Sequence, residues 1–296
     1  MTALWTGLGD KVVDRFTVLL LSPALAFWFG GVLAWVHAHG WNRLLTWSST
    51  GLGETDAVAE VAIGLGALLV IAGSARMVEV FSLPVLRLLE GYWPAWASAL
   101  GQRVTRREER IERRARRWRK LSSTRSQHTM KQARQYQRLN AARARVPIHP
   151  TDRMPTAFGD LLKVMETRPR HRYGLDAVTC FPRLWLVLPE AARTDVAAAR
   201  GRVDDAGRLW LWSLLFSVWT PLAWWAAVVA VAGMLVAYQV ALVAAAGLAE
   251  VVQACFDVYR GLLYDALGFA RPASLEAEPV AGAALTAWLE RGRLPA

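Results

Sequence analysis

Residues Leu209–Ala249, LWLWSLLFSVWTPLAWWAAVVAVAGMLVAYQVALVAAAGLA, run for 41 positions without one Asp, Glu, Lys or Arg. Arg208 closes the stretch on one side and Glu250 on the other. A helix needs about 20 apolar residues to cross a hydrocarbon core of about 30 Å. The stretch is twice that long, so it predicts two membrane spans joined by a short apolar turn. Trp and Tyr favour the two headgroup levels of a bilayer. Trp210 and Trp212 stand near one end of the first span, and Trp224 and Trp225 near the other. Their spacing places the turn near Ala226–Ala230 and the spans at about 208–227 and 230–250. Pro221 falls inside the first span and predicts a kink that frees a carbonyl near Ser217. Ser213, Ser217, Thr220 and Gln239 are the candidate intramembrane polar contacts, as inter-helix glue or as a polar path.

Working outward, residues 16–42 are also free of Asp, Glu, Lys and Arg. They predict a first span at about 16–37. The loop that follows is poor in positive charge, which places it outside. A second span at about 57–77 is rich in Ala and Gly, and Ala62 and Gly66 make one small-xxx-small step. Pro84 is expected to kink or restart the chain, so that residues 80–96 lie along the inner interface. Arg76 and Glu250 are a candidate ion pair within the helix bundle. His37 and His39 are two apart, a spacing that does not share a helix face and does not make a metal site.

The charge is concentrated in one segment. Residues 103–145 carry 16 Lys and Arg against three Glu, a net of +13 in a chain of +11 overall. Val104, Ile111 and Trp118 recur every seven residues, which predicts a charged helix with one narrow apolar stripe. A turn at 121–126 and a second helix from Met130 would complete a helical hairpin. Positive loops stay on the cytoplasmic side, so residues 97–207 and both termini are expected inside. Arg113, Arg114, Arg116, Arg117, Arg119 and Lys120 are the candidate contacts for anionic lipid headgroups. Nucleic acid is disfavoured as a partner, because no recognition motif is present and only Trp118 and Tyr136 could stack on bases.

Catalytic signatures are missing. The sequence has no phosphate-binding P-loop, no H-E-x-x-H, no C-x-x-C and no G-x-S-x-G. Cys180 and His171 are the one nucleophile pair to weigh, and a buried structural thiol is the simpler reading. No cofactor or metal is expected, and the chain does not read as an enzyme.

Met154-Pro155-Thr156, Arg172-Tyr173-Gly174-Leu175-Asp176, Phe181-Pro182-Arg183-Leu184-Trp185 and the Trp-Thr-Pro-Leu-Ala-Trp-Trp run at 219–225 carry a likeness. Over about residues 150–265 the chain resembles uncharacterised multi-span membrane proteins common in actinobacteria. The resemblance implies a membrane protein and no catalytic residue.

The expected architecture is therefore all-α, a polytopic membrane protein with four transmembrane helices in two hairpins. Residues 1–96 hold the first pair and 97–207 a basic helical cytoplasmic domain. Residues 208–269 hold the second pair with a helical extension, and 270–296 form a tail. The expected location is the inner (plasma) membrane. The expected role is a scaffold, sensor or effector subunit that engages anionic lipid or a membrane partner. The alternative is an oligomeric channel or small-solute transporter, in which copies of the chain would multiply the few polar positions.

Overall fold

The computed structural model describes residues 23–43, 46, 57–93, 101–124 and 129–292, and among them there is no strand. In chain order the helices are α1 (Pro23–His39), α2 (Ala57–Glu90), α3 (Gly101–Ser122), α4 (Met130–Arg143) and α5 (Ala157–Tyr173). They continue with α6 (Ala177–Val187), α7 (Glu190–Leu215), α8 (Trp225–Ala266) and α9 (Glu278–Arg291). Short 3-10 turns lie at Pro150–Asp152 and Phe216–Trp219. Two compact units divide the chain: Met1–Val85 with Asp204–Val240, and Leu86–Val203 with Ala241–Ala296.

The first unit is built on aromatic side chains seated against small residues. Gly30 and Gly31 on α1 leave room for the rings of Phe216 and Trp219. A Cβ at either position would lie 2.3–2.4 Å from those rings. Phe27 gathers Trp212 and Trp219 around it at centroid distances of 5.4 and 5.3 Å. Trp28 Nε1 donates to Ser74 Oγ at 3.2 Å and ties α1 to α2. Ser213 on α7 packs on Gly233 of α8, where a Cβ would lie 2.7 Å from its hydroxyl. These residues are ten positions before and ten after Ala223, so α7 and α8 form an antiparallel hairpin here.

The second unit packs α3–α6, α9 and the far end of α8. Its core includes Phe158, Leu175, Leu184, Phe256, Leu263 and Leu285, each under 1% exposed. Asp176 caps α6 by accepting from Thr179 N at 3.0 Å. Gly174 ends α5 with φ +72°, in the left-handed region that suits glycine. Gly282 of α9 lies against the backbone at Tyr173, whose carbonyl oxygen would be 1.9 Å from a Cβ there.

Three expectations change. Among the described residues two helices, α2 and α8, are long and apolar enough to cross a membrane, where the sequence predicts four spans. Of the expected first span, residues 16–22 lie outside the described residues, and α1 covers 17 positions. The expected third span is not one helix. Proline lacks an N–H and clashes with the preceding turn, so α7 tightens into 3-10 geometry and stops at Trp219. Thr220 N takes the Ser217 carbonyl at 3.0 Å, leaving no freed acceptor there. The chain turns at 220–224, and Ala226–Ala230 lie inside α8. Finally, of the two alternatives for Pro84, kink or restart, the restart does not occur, because α2 runs through it to Glu90. Residues 94–96 of the expected interfacial segment lie outside the described residues.

Candidate functional site

A groove of about 620 Å³ in the second unit is bordered by α3, α4, the 144–153 segment and α5. Its construction starts at Asp160, 0% exposed in the first turn of α5. Asp160 accepts from Met154 N at 2.8 Å and from Arg107 Nη2 of α3 at 2.5 Å. Arg107 Nη1 also donates to the Met154 carbonyl at 2.7 Å. One carboxylate thus clamps α3, the segment before α5, and α5 itself. Burial pushes the Asp160 carboxyl up from its ordinary pKa, and the Met154 N–H and the Arg107 guanidinium pull it back.

From Arg107 the inward face of α3 continues through Ile111, Ala115 and Trp118. The Trp118 ring stacks on Tyr136 of α4 with centroids 6.1 Å apart, and Arg143 lies over it at 3.9 Å. The seven-residue apolar stripe is therefore the seam of the α3–α4 hairpin. A capping box between Thr129 and Gln132 starts α4. The 144–153 segment is held by Arg168 of α5, which donates to the Ala144 carbonyl at 2.7 Å and to Gln253 Oε1 at 2.5 Å. Arg153 reaches Glu112 at 3.5 Å, and the His149 and His171 rings stand 4.8 Å apart.

The result is an electropositive groove. Arg114, Arg119, Arg143, Arg153 and Arg168 line it, and Glu112 is its one carboxylate. Glu112 is shared between Arg153 and Arg116, the latter at 3.9 Å. Arg153 is 12% exposed, and its Nε and the Nε1 of Trp118 are buried without a hydrogen-bond partner.

The six expected lipid contacts divide. Arg114 and Arg119 line the groove, while Arg113 and Arg116 make ion pairs with Glu109 and Glu112 along α3, each at 3.9 Å. Arg117 and Lys120 are exposed. Arg76, the residue expected to pair with Glu250, meets a neighbour on α2, its Nη1 lying 2.6 Å from Glu79 Oε2. Arg208 lies 3.8 Å from the other oxygen of Glu79, and Glu250 sits on α8 in the second unit. Ser213 donates to the Leu209 carbonyl at 2.8 Å and Ser217 to the Leu214 carbonyl at 2.7 Å. Thr220 stands in the turn and Gln239 is exposed on α8.

The nucleophile pair is also separated in role. Cys180 is fully buried, its sulfur 3.8 Å from the Thr286 hydroxyl. Burial pushes its thiol up to about 11, so it stays protonated near neutral pH. His171 belongs to the groove instead. Among the described residues no cluster of His, Cys, Asp or Glu could hold a metal ion. His39 donates to the Trp35 carbonyl at 3.1 Å.

Sequence reasoning missed Asp160, Arg143, Arg153 and Arg168. The available signal was Arg107, one helical turn before Ile111 and so on the face of the apolar stripe. Comparison with protein-family models, curated proteins and solved structures returns no match.

Proposed function

We propose that this chain is an integral membrane protein that binds anionic groups at the inner membrane surface. In this reading α2 crosses the bilayer, the hairpin of α8 and residues 209–219 enters and leaves it on one side, and the arginine-rich unit faces the cytoplasm. The observation that carries it is the surface of α2. No residue of its most apolar stretch is buried. Val58 is 79% exposed, Leu69 73% and Leu65 56%. A helix at the core of a soluble protein would bury such side chains, and monomeric soluble proteins rarely expose apolar patches beyond a few hundred Å². At 1.5 Å per residue, the 34 residues of α2 extend about 51 Å, ample for a hydrocarbon core of about 30 Å.

The positive-inside rule then supports the cytoplasmic side for the +13 segment. Arg117 and Lys120, exposed on α3, offer charge to a headgroup layer, where each cation contributes about 1 kcal/mol. The role that fits is a membrane-bound scaffold, sensor or effector subunit. A channel has less support, since the Ser213 and Ser217 hydroxyls bond back to their own helix.

The test is fractionation of the full-length protein. It should remain with membranes through alkaline carbonate and high salt, and leave only in detergent. Recovery as dispersed protein in plain buffer would overturn the reading.

A further inference from the structure

We infer that the groove between α3, α4 and α5 is a binding site for a phosphate ester whose phosphate is joined to an apolar or planar body. This deepens the anionic-binding reading above, and it assigns the recognition to this groove rather than to the outer face of α3.

The charge comes first. Five arginines border the groove against one carboxylate, and that carboxylate is already shared by Arg153 and Arg116. Among the described residues no ion pair engages Arg114 or Arg119. Neighbouring guanidinium groups repel one another, and an anion placed among them relieves that repulsion. Guanidinium forks match phosphate oxygens in pairs, which favours phosphate for an arginine-lined site.

The donors are held in place. Arg168 is fixed by the Ala144 carbonyl and by Gln253, and Arg143 by the Trp118 ring. Buried donors without partners are rare in folded proteins. Arg153 Nε and Trp118 Nε1 are two such donors on residues that border this one groove.

The shape supplies the second half of the ligand. A volume of about 620 Å³ is in the range of small-molecule sites and exceeds what a bare phosphate fills. Ile111, Trp118, Leu139, Ile148 and Val164 give it an apolar lining. A phosphate at the arginines with a glyceryl, acyl or ring portion on that lining satisfies both. The ester could arrive as a lipid headgroup or as a soluble phosphate ester, because the recognition chemistry is the same.

The experiment uses the full-length protein in nanodiscs. One arm titrates adenosine monophosphate and, as the bare anion, inorganic phosphate into phosphatidylcholine discs. The other compares discs containing phosphatidic acid with discs of phosphatidylcholine alone. Hydrogen exchange of residues 111–119 and 143–153 reports occupancy in both. Protection by at least one phosphate ester is expected, with bare phosphate weaker. Protection in the first arm identifies a soluble source, and protection confined to the second identifies a lipid. Arg114→Ala with Arg119→Ala should weaken it about tenfold or more, with the melting temperature held within a few degrees. Lys131→Ala with Arg134→Ala, exposed on α4 and outside the groove lining, should change it less than threefold.

No protection by either ester at millimolar concentration would overturn the site. So would equal losses from the two double variants, which would mean diffuse surface attraction. The adenosine monophosphate arm repeated in detergent micelles separates this outcome from failure of the membrane reading, because occupancy there needs no bilayer.

Discussion

The guanidinium of Arg143 lies 3.9 Å above the ring of Trp118, across the seam between α4 and α3. The contact fixes an arginine without a carboxylate and so leaves its charge available to the groove. Cation–π pairs at exposed positions contribute about 0.5–1 kcal/mol. A double-mutant cycle with Arg143→Ala and Trp118→Leu, read by thermal unfolding, should return a coupling of about that size. A coupling of zero would mean that the stacking holds nothing.

Asp160 is the buried clamp of the second unit. Removing one partner of a buried ion pair leaves the other uncompensated, and Asp160→Ala should cost about 3 kcal/mol. Arg107 is 24% exposed, so water relieves part of that loss. Asp160→Asn keeps an acceptor for Met154 N and should cost less. Denaturant unfolding in detergent checks the order, which fails if the two variants are equally stable.

Alkaline pH should loosen the same unit. Burial raises the Cys180 thiol from 9.0 to about 11 and, with help from Asp257, the Tyr173 phenol from 10.0 to about 12. Both folded pKa values are raised, so the neutral groups contribute stability that is complete below the unfolded values. That stability drains between about pH 9 and 11 for Cys180 and between 10 and 12 for Tyr173. The melting temperature should fall across pH 9–11, and Cys180→Ala should flatten the fall even though its baseline is lower. An unchanged slope in that variant would assign the alkaline loss elsewhere.

Gly282→Ala tests the docking of α9. The new Cβ would meet the Tyr173 carbonyl oxygen at 1.9 Å, a backbone atom that cannot rotate away. Overpacking of this kind costs about 1–3 kcal/mol. Residues 278–291 should exchange amide protons faster in the variant, and Arg260 should lose its ion pair with the buried Glu278. Wild-type exchange rates would show that α9 carries no such constraint.

How much the sequence reveals depends on whether the signal is local. The uncharged 209–249 run and the basic 103–145 run are legible because composition alone marks one as apolar and the other as solvated. The Val104–Ile111–Trp118 repeat likewise marks the α3–α4 seam, and Asp176 before Thr179 marks a cap. Prolines were the weak point. Pro84 and Pro169 lie inside helices while Pro221 ends one, and the residue itself carries no sign of which will happen. The outcome depends on what else meets the carbonyl a turn earlier, and at Pro221 that was Thr220 N on Ser217. The groove was illegible for a related reason. Its arginines come from α3, α4, the 144–153 segment and α5, and only folding shows which members of a long basic run face inward.

Placement of α2 in a bilayer is the claim on which the rest stands. Spin labels at Val61→Cys, Leu65→Cys, Leu69→Cys and Gly73→Cys, each in a chain with Cys180 and Cys255 replaced, measure it directly in nanodiscs. Collisions with oxygen should be high at all four positions and collisions with a water-soluble nickel chelate low, because every face of this stretch is apolar and uncovered. Strong nickel collisions at these sites would put α2 in water and contradict the account.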